Sequence, residues 1–325
     1  MYDNYACNVG NETTALFNFD LFCFPGCSQL PGQTAPTALN YFDSQWSSLY
    51  AWRSIGNSAY NALQASLRKQ VSHGLSFDLN YTYSKSMDIG SNAERINEFE
   101  GSGFASQIIN AWAPNQLRAV SDFDTTHQIN VNWVYELPVG HGKAFGSNMN
   151  PALNAIFGGW QFAGLWRWSS GFPFTIEPGL GFWATDWQLP TPVVLNGPKP
   201  KTGQFVVPVT PGGKPQPDVF QNPSQAITDF RLALAGEQGG RNNLRGPGTF
   251  GLDASLAKSW RVAEGKSLTF RWETFNVTNT PRFDVGGLQN PNVGNNSLAT
   301  AAVFGVYSNT LNKPRLMEFA LRFTF

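Results

Sequence analysis

The sequence predicts an all-β fold: an antiparallel transmembrane β-barrel segment, a partial barrel of about seven long strands with long extracellular loops. Three observations predict it. Charged residues make up 14% of the 325 residues and aromatics also 14%, with 26 Phe and 11 Trp, against about 25% charged in ordinary globular chains. Segments of roughly ten to fourteen residues alternate strictly between apolar and polar positions, the period of a strand with two unlike faces. The links between those segments are short and long in turn, which is how outer-membrane barrels are connected.

The first strand is expected over Ala59–Val71, where Leu63, Ala65 and Leu67 oppose Gln64, Ser66 and Arg68. Ser72-His73-Gly74 turns the chain tightly into the second, Leu75–Lys85. There Leu75, Phe77, Leu79, Tyr81 and Tyr83 oppose Ser76, Asp78, Asn80, Thr82 and Ser84, one face wholly apolar and the other wholly polar. His127–Leu137 sets Ile129, Val131, Trp133 and Tyr135 against Gln128, Asn130, Asn132 and Glu136. In Trp160–Ser170 the outer set is Trp160, Phe162, Trp166 and Trp168, with Gln161, Arg167 and Ser169 opposite. Phe250–Trp260 places Leu252, Ala254 and Leu256 against Asp253 and Ser255; Leu268–Asn276 places Phe270 and Trp272 against Thr269, Arg271 and Glu273. The last strand, Arg315–Phe325, opposes Met317, Phe319, Leu321, Phe323 and Phe325 to Glu318, Ala320, Arg322 and Thr324. Links of about 40, 75 and 35 residues follow the second, fourth and sixth strands, without evident internal structure, which argues against a compact soluble domain.

Where charge falls separates a membrane sheet from a soluble sandwich. The apolar-face charges Lys69, Lys85, Lys258 and Arg315 stand near strand ends, where a long side chain reaches the headgroups. At the midplane a Lys or Arg on that face costs about 2–4 kcal/mol. Asp78, Arg167, Asp253, Arg271 and Glu273 sit on the other face. Tyr81, Tyr83, Trp160, Trp166, Trp168 and Trp260 gather toward segment ends, as interfacial girdles do. Residues 1–57 are expected to be an extracellular, irregular segment, and 58–325 the strands. No apolar run is long and clean enough for a membrane-spanning helix, and Met1–Tyr5 opens no signal peptide, which reads as a fragment of an exported protein.

Several function classes are excluded by the same reading. Lys+Arg and Asp+Glu are equal at 22 each, so nothing provides an electrostatic grip on nucleic acid. Cys7, Cys23 and Cys27 cluster in the first 27 residues; Cys23 and Cys27 fit a small loop staple, and no fourth ligand completes a metal site. No cofactor site is expected. His73, His127 and His141 are scattered, Ser169-Ser170-Gly171 is no nucleophile elbow, and Gly246-Pro247-Gly248 lacks the Lys-Ser/Thr of a phosphate loop. No enzyme is expected.

The candidate contact residues lie on the inward face: Arg68, Asp78, Glu136, Arg167, Asp253, Arg271, Glu273 and Arg322, either touching a plug or substrate or pairing across strands. Phe172, Phe174, Trp183 and Trp187 are loop aromatics that either stack on a ligand or anchor loop packing. Phe323 and Phe325 form a terminal aromatic pattern.

Ordered strings along residues 60–325 carry a family resemblance. They include Tyr60-Asn61-Ala62-Leu63-Gln64, Tyr81-Thr82-Tyr83-Ser84-Lys85-Ser86, Ser121-Asp122-Phe123-Asp124, Glu136-Leu137-Pro138-Val139-Gly140 and Gly158-Gly159-Trp160-Gln161. Ser170-Gly171-Phe172-Pro173-Phe174, Gly240-Arg241-Asn242-Asn243-Leu244-Arg245-Gly246-Pro247-Gly248, Glu273-Thr274-Phe275-Asn276 and the terminal Phe325 continue the series. Together they resemble the distal barrel of TonB-dependent outer-membrane transporters of the Oar-like type. The resemblance implies the last seven strands of a plugged barrel of about 22, importing a scarce or bulky nutrient with energy from the TonB system. The implied partners are outer-membrane lipid, the remaining barrel and plug, and the barrel assembly machinery, which the terminal Phe323 and Phe325 would address. The alternative is a passive structural or adhesive outer-membrane barrel.

Overall fold

A computed structural model describes residues 56–91, 113–178, 192–208, 214–231, 237, 239–289, 292–293 and 303–325. Seven long strands appear where the alternation places them: β1 Ala59–Ser72, β2 Leu75–Asp88, β3 His127–Glu136, β4 Trp160–Ser169, β5 Thr249–Ala263, β6 Lys266–Phe275 and β7 Leu316–Thr324. They form one antiparallel meander in sequence order, β1 through β7, with the short strand Ala119–Val120 added at the loop end of β2. Among the described residues β1 and β7 each pair on one side only.

Register turns seven separate alternations into one surface. Leu67, Leu79, Val131, Trp166 and Leu252 are successive cross-strand partners. Nearer the short turns, Leu75, Tyr135, Phe162, Leu256, Trp272 and Phe319 make a second row, and Trp160, Lys258, Phe270 and Leu321 a third. Because side chains alternate with period two, a slip of one residue in any strand would break every row that crosses it. Gly164 is part of this fit: a Cβ there would lie 2.2 Å from the Trp133 ring, so the indole occupies the place a side chain would need. Trp166, expected near a strand end, stands inside the band, one row in from Trp168.

The turns explain the two rims. His73 and Gly74, at φ 55° and 79°, make a two-residue turn between β1 and β2, both residues in the left-handed region that matches strand twist. Glu264-Gly265 makes another two-residue turn between β5 and β6, in which Gly265, at φ 70°, is the residue in that region. The β3–β4 link shares that rim but is longer and ordered: helix α1, Pro151–Phe157, begins at Asn150, whose Oδ1 accepts from Leu153 N at 2.8 Å. The helix starts Asn-Pro, a cap followed by the residue best suited to the first helical position.

The long links carry structure that the alternation does not report. Thr202–Pro208, Pro215–Phe220, Val306–Tyr307 and Leu288–Gln289 form a small four-stranded sheet, and helix α2, Pro223–Thr228, packs beside it. Phe174, Ile176, Val193, Val219, Phe220, Ala226, Ile227, Phe230, Leu244, Phe304 and Tyr307 make its core, with the Phe220 and Phe304 rings stacked at 5.0 Å. The expectation of loops without internal structure is corrected: two links, β4–β5 and β6–β7, pool apolar residues that neither could bury alone.

Candidate functional site

The inner face of the sheet collects the charged residues singled out by alternation. Asp78 lies opposite Arg68 across β1 and β2; Arg68 Nε donates to its Oδ2 at 2.8 Å, and Asn80 Nδ2 to its Oδ1 at 2.7 Å. Ser66 Oγ donates to Asn80 Oδ1 at 2.7 Å, extending the ladder. Arg167 on β4 donates to Asp253 Oδ2 on β5 at 2.7 Å, while Asp253 Oδ1 accepts the Asn276 amide at 2.8 Å. Arg271 reaches Glu273 along β6 at 3.5 Å, and Glu136 meets Lys143 from the following link at 3.4 Å. Glu318 of β7 is the cross-strand partner of Glu273, and Arg322 that of Thr269. The arginines keep much of their surface open: the Arg68 side chain is 73% exposed and that of Arg271 56%. Exposed pairs like these contribute about 0–1 kcal/mol each, so the wall is polar and charged without being locked.

The loop aromatics separate. Phe174 is buried in the loop core, its ring 6.2 Å from that of Phe220, so it is a packing anchor and offers no face to a ligand. Phe172 is half-buried in the same strand connection, its carbonyl accepting from Gly246 N at 2.9 Å. Trp183 and Trp187 lie outside the described residues, as do Cys7, Cys23, Cys27 and almost all of the 1–57 segment. At the chain end Phe323 and Phe325 stack on each other at 6.1 Å, and Phe325 is 90% exposed.

What sequence reasoning missed is the clamp that holds the loop layer on the sheet. The Arg241 side chain, 5% exposed, donates to Asp88 Oδ1, Asp122 Oδ1 and Ser91 Oγ, each at 2.8 Å. Asn242 Nδ2 donates to Asp122 Oδ1 at 2.6 Å and to Val120 O at 2.8 Å. Arg245 pairs with the buried Asp124 and donates to Gly171 O at 3.0 Å. The two strings Ser121–Asp124 and Gly240–Gly248, quoted above only for their resemblance, are thus the two halves of one buried ionic joint. A single segment cannot reveal it, because donors and acceptors are more than a hundred residues apart.

One apolar-face charge also departs from expectation. Lys258 does not reach for headgroups; it is buried, its Nζ donating to Asn154 O at 3.1 Å and to Gly158 O. The histidines are placed singly: Ser72 and His73 share a 2.9 Å bond, His127 meets Tyr81 Oη at 2.9 Å, and the His141 amide donates to Asn154 Oδ1. Among the described residues no group of three or more His, Cys, Asp or Glu is arranged to hold a metal ion. Nor is any described helix long and apolar enough to cross a membrane.

An antiparallel meander with one continuous apolar face, one polar face and loops massed on one rim defines a transmembrane sheet of the outer-membrane type. The chain belongs to the family of the outer membrane beta barrel domain, whose model matches residues 4–318. Comparisons with curated proteins and with solved structures returned no match. The protein resides in the outer membrane of a Gram-negative bacterium, its apolar band against outer-membrane lipid.

Proposed function

We propose that this chain supplies the C-terminal strands of a TonB-dependent outer-membrane transporter of the Oar-like type, taking up a scarce or bulky nutrient, and that it acts without catalysing a reaction. The observation that carries the reading is the open sheet: β1 and β7 each present an edge that no described strand pairs. In lipid an unpaired backbone group costs several kcal/mol, so further strands must close the barrel. A wall carrying Arg68, Arg271 and Arg322 then faces a lumen wide enough for a plug and a passing solute. The motifs that resemble Oar-like transporters support the rest of the assignment, including TonB, the plug and the assembly machinery as partners.

A second reading is favoured by the loop layer. A rim stiffened by its own hydrophobic core suits a passive structural or adhesive barrel. Immobilised periplasmic domain of TonB separates the two. It is expected to retain the detergent-solubilised outer-membrane protein as its host makes it; passage without retention overturns the transporter reading and leaves the passive barrel.

A further inference from the structure

We propose that helix α1 is an in-plane interfacial helix, seated in the phospholipid headgroup region of the inner leaflet, with Leu153, Ile156 and Phe157 turned into lipid. These three residues repeat at the i, i+3, i+4 spacing that shares one side of a helix. They are 45%, 59% and 55% exposed. The other side is held down: Asn154 Oδ1 accepts the His141 amide at 2.8 Å and sits against Gly140 and Gly158, where a Cβ would collide with it.

The carbonyl end of the helix sets which side of the barrel wall it occupies. Trp160 Nε1 donates to Ile156 O at 2.8 Å, Trp260 Nε1 to Ala155 O at 2.7 Å, and Lys258 Nζ to Asn154 O at 3.1 Å. All three donors belong to the outer, lipid-facing rows of β4 and β5, at the short-turn rim. The helix therefore lies on the lipid side, and not over the lumen. Carbonyls at a helix end lack partners within the helix; here Trp260 and Trp160 satisfy those of Ala155 and Ile156, while Asn154 O accepts the Gly158 amide as well as Lys258, so this end can enter a region poor in water.

The arrangement also hides a charge. Lys258 is 4% exposed, its ammonium 5.5 and 5.4 Å from the Trp160 and Trp260 rings, at a row that otherwise faces hydrocarbon. Trp residues favour the membrane interface, and the stripe of α1 continues the apolar band already assigned to outer-membrane lipid. That continuity names phospholipid as the occupant. The inference rests on the outer-membrane family alone and is independent of the transporter proposal.

Spin labels at Leu153→Cys, Ile156→Cys and Phe157→Cys test it, each read in isolated outer membranes with Cys7→Ser, Cys23→Ser and Cys27→Ser as background. Asn148→Cys, exposed in the preceding turn, is the aqueous reference. The expected result is a ratio of oxygen to nickel-chelate accessibility several-fold higher at the three stripe positions than at Asn148. Nickel access equal to that of Asn148 overturns the proposal in favour of a helix facing the periplasm. Shielding from both reagents overturns it in favour of a protein partner. The three positions are read independently, so a variant that fails to assemble leaves the others decisive.

Discussion

The seven-stranded sheet and the loop layer above it obey opposite rules of burial. Every buried large apolar side chain among the described residues, from Ile89 and Leu117 to Phe304 and Tyr307, lies in the links. None lies in β1–β7. The long strands instead hold Leu63, Leu67, Phe319, Leu321 and Phe323 half or more exposed. Leaving a Leu or Phe in water instead of burying it costs about 1.5–3 kcal/mol, and an apolar surface this continuous marks an interaction site. The loop layer is a small protein folded in water; the sheet is complete only with lipid as its second solvent. Polar groups reverse in the same way. The loop layer buries ions in the Arg241 clamp, whereas the sheet keeps its ion pairs half open on the inner face.

The largest expected effect lies in the sheet and concerns assembly. Deleting Phe325 from the protein as its host makes it is expected to deplete it sharply from the outer membrane, read as lost surface biotinylation of the exposed Lys199 and Lys201. If Phe325 only packs, its loss costs at most about 1.5–3 kcal/mol and labelling stays unchanged. Next come substitutions in the loop layer. Phe220→Ala removes a wholly buried ring from the stacked pair with Phe304 and is expected to cost about 3–5 kcal/mol. Arg241→Ala strands Asp88 and Asp122 without their counter-ion, a loss of about 3–5 kcal/mol. Both variants open the loop layer to protease added to intact cells while the sheet, judged by heat-dependent gel mobility, survives. Loss of sheet and loop layer together would show that the two regions are one cooperative unit.

That difference also decides what could be read in the sequence. Alternation is local, so β2 was legible from Leu75–Lys85 alone, and its polar face delivered Asp78 and Asn80 at once. The sheet order followed from the rule that consecutive antiparallel strands are neighbours, and each strand edge fell within a few residues of its expected place. The loop core has no such period. Phe174 and Phe220 come from one link and Phe304 from another, up to 130 residues apart, and only the fold brings them together. The clamp was hidden for the same reason: Asp88, beyond the strand expected at Leu75–Lys85, carries no local signal, and its partner Arg241 lies 153 residues later. Of the inner-face candidates, the cross-strand pairs Arg68–Asp78 and Arg167–Asp253 formed as their parity allows. Lys258 departs from its expected place because α1, which covers it, has no strand alternation to announce it.

A sharper contrast uses one side chain on two faces of one strand. Leu79 and Asn80 are neighbours in β2, one pointing to lipid and one to the inner face. Leu79→Arg is expected to destabilise by about 2–4 kcal/mol, and Asn80→Arg, beside Asp78, to stay within about 0.5–1 kcal/mol. Equilibrium unfolding in urea from phospholipid vesicles measures both. Equal losses would break the assignment of faces.

The smallest effect belongs to the loop layer and depends on pH. Asp218 is wholly buried in the four-stranded loop sheet, where its carboxylate accepts the Phe220 amide at 2.7 Å. Gly305, at φ 84°, passes close enough that a Cβ there would meet Asp218 Oδ1 and the Phe220 ring, so little water can reach the group. Burial pushes the Asp218 carboxyl up from 3.8 to about 6, against the opposing pull of the backbone amides that bond it. The same confinement, with Asp218 nearby, pushes the Tyr307 phenol up as well. Since the folded layer holds the Asp218 proton more tightly than the unfolded chain does, protonation favours folding. Its contribution is therefore fully present below pH 3.8 and is lost as pH rises through about 6. Amide exchange of Phe220 and Val306, corrected for the intrinsic pH dependence of exchange, is expected to show more protection at the acid end of that window. Asp218→Asn, which cannot ionise, should flatten the difference while the outer band of the sheet exchanges as before. A difference of the same size in Asp218→Asn would assign the pH response to another group, and one shared by the sheet would show that the loop layer does not open separately from it.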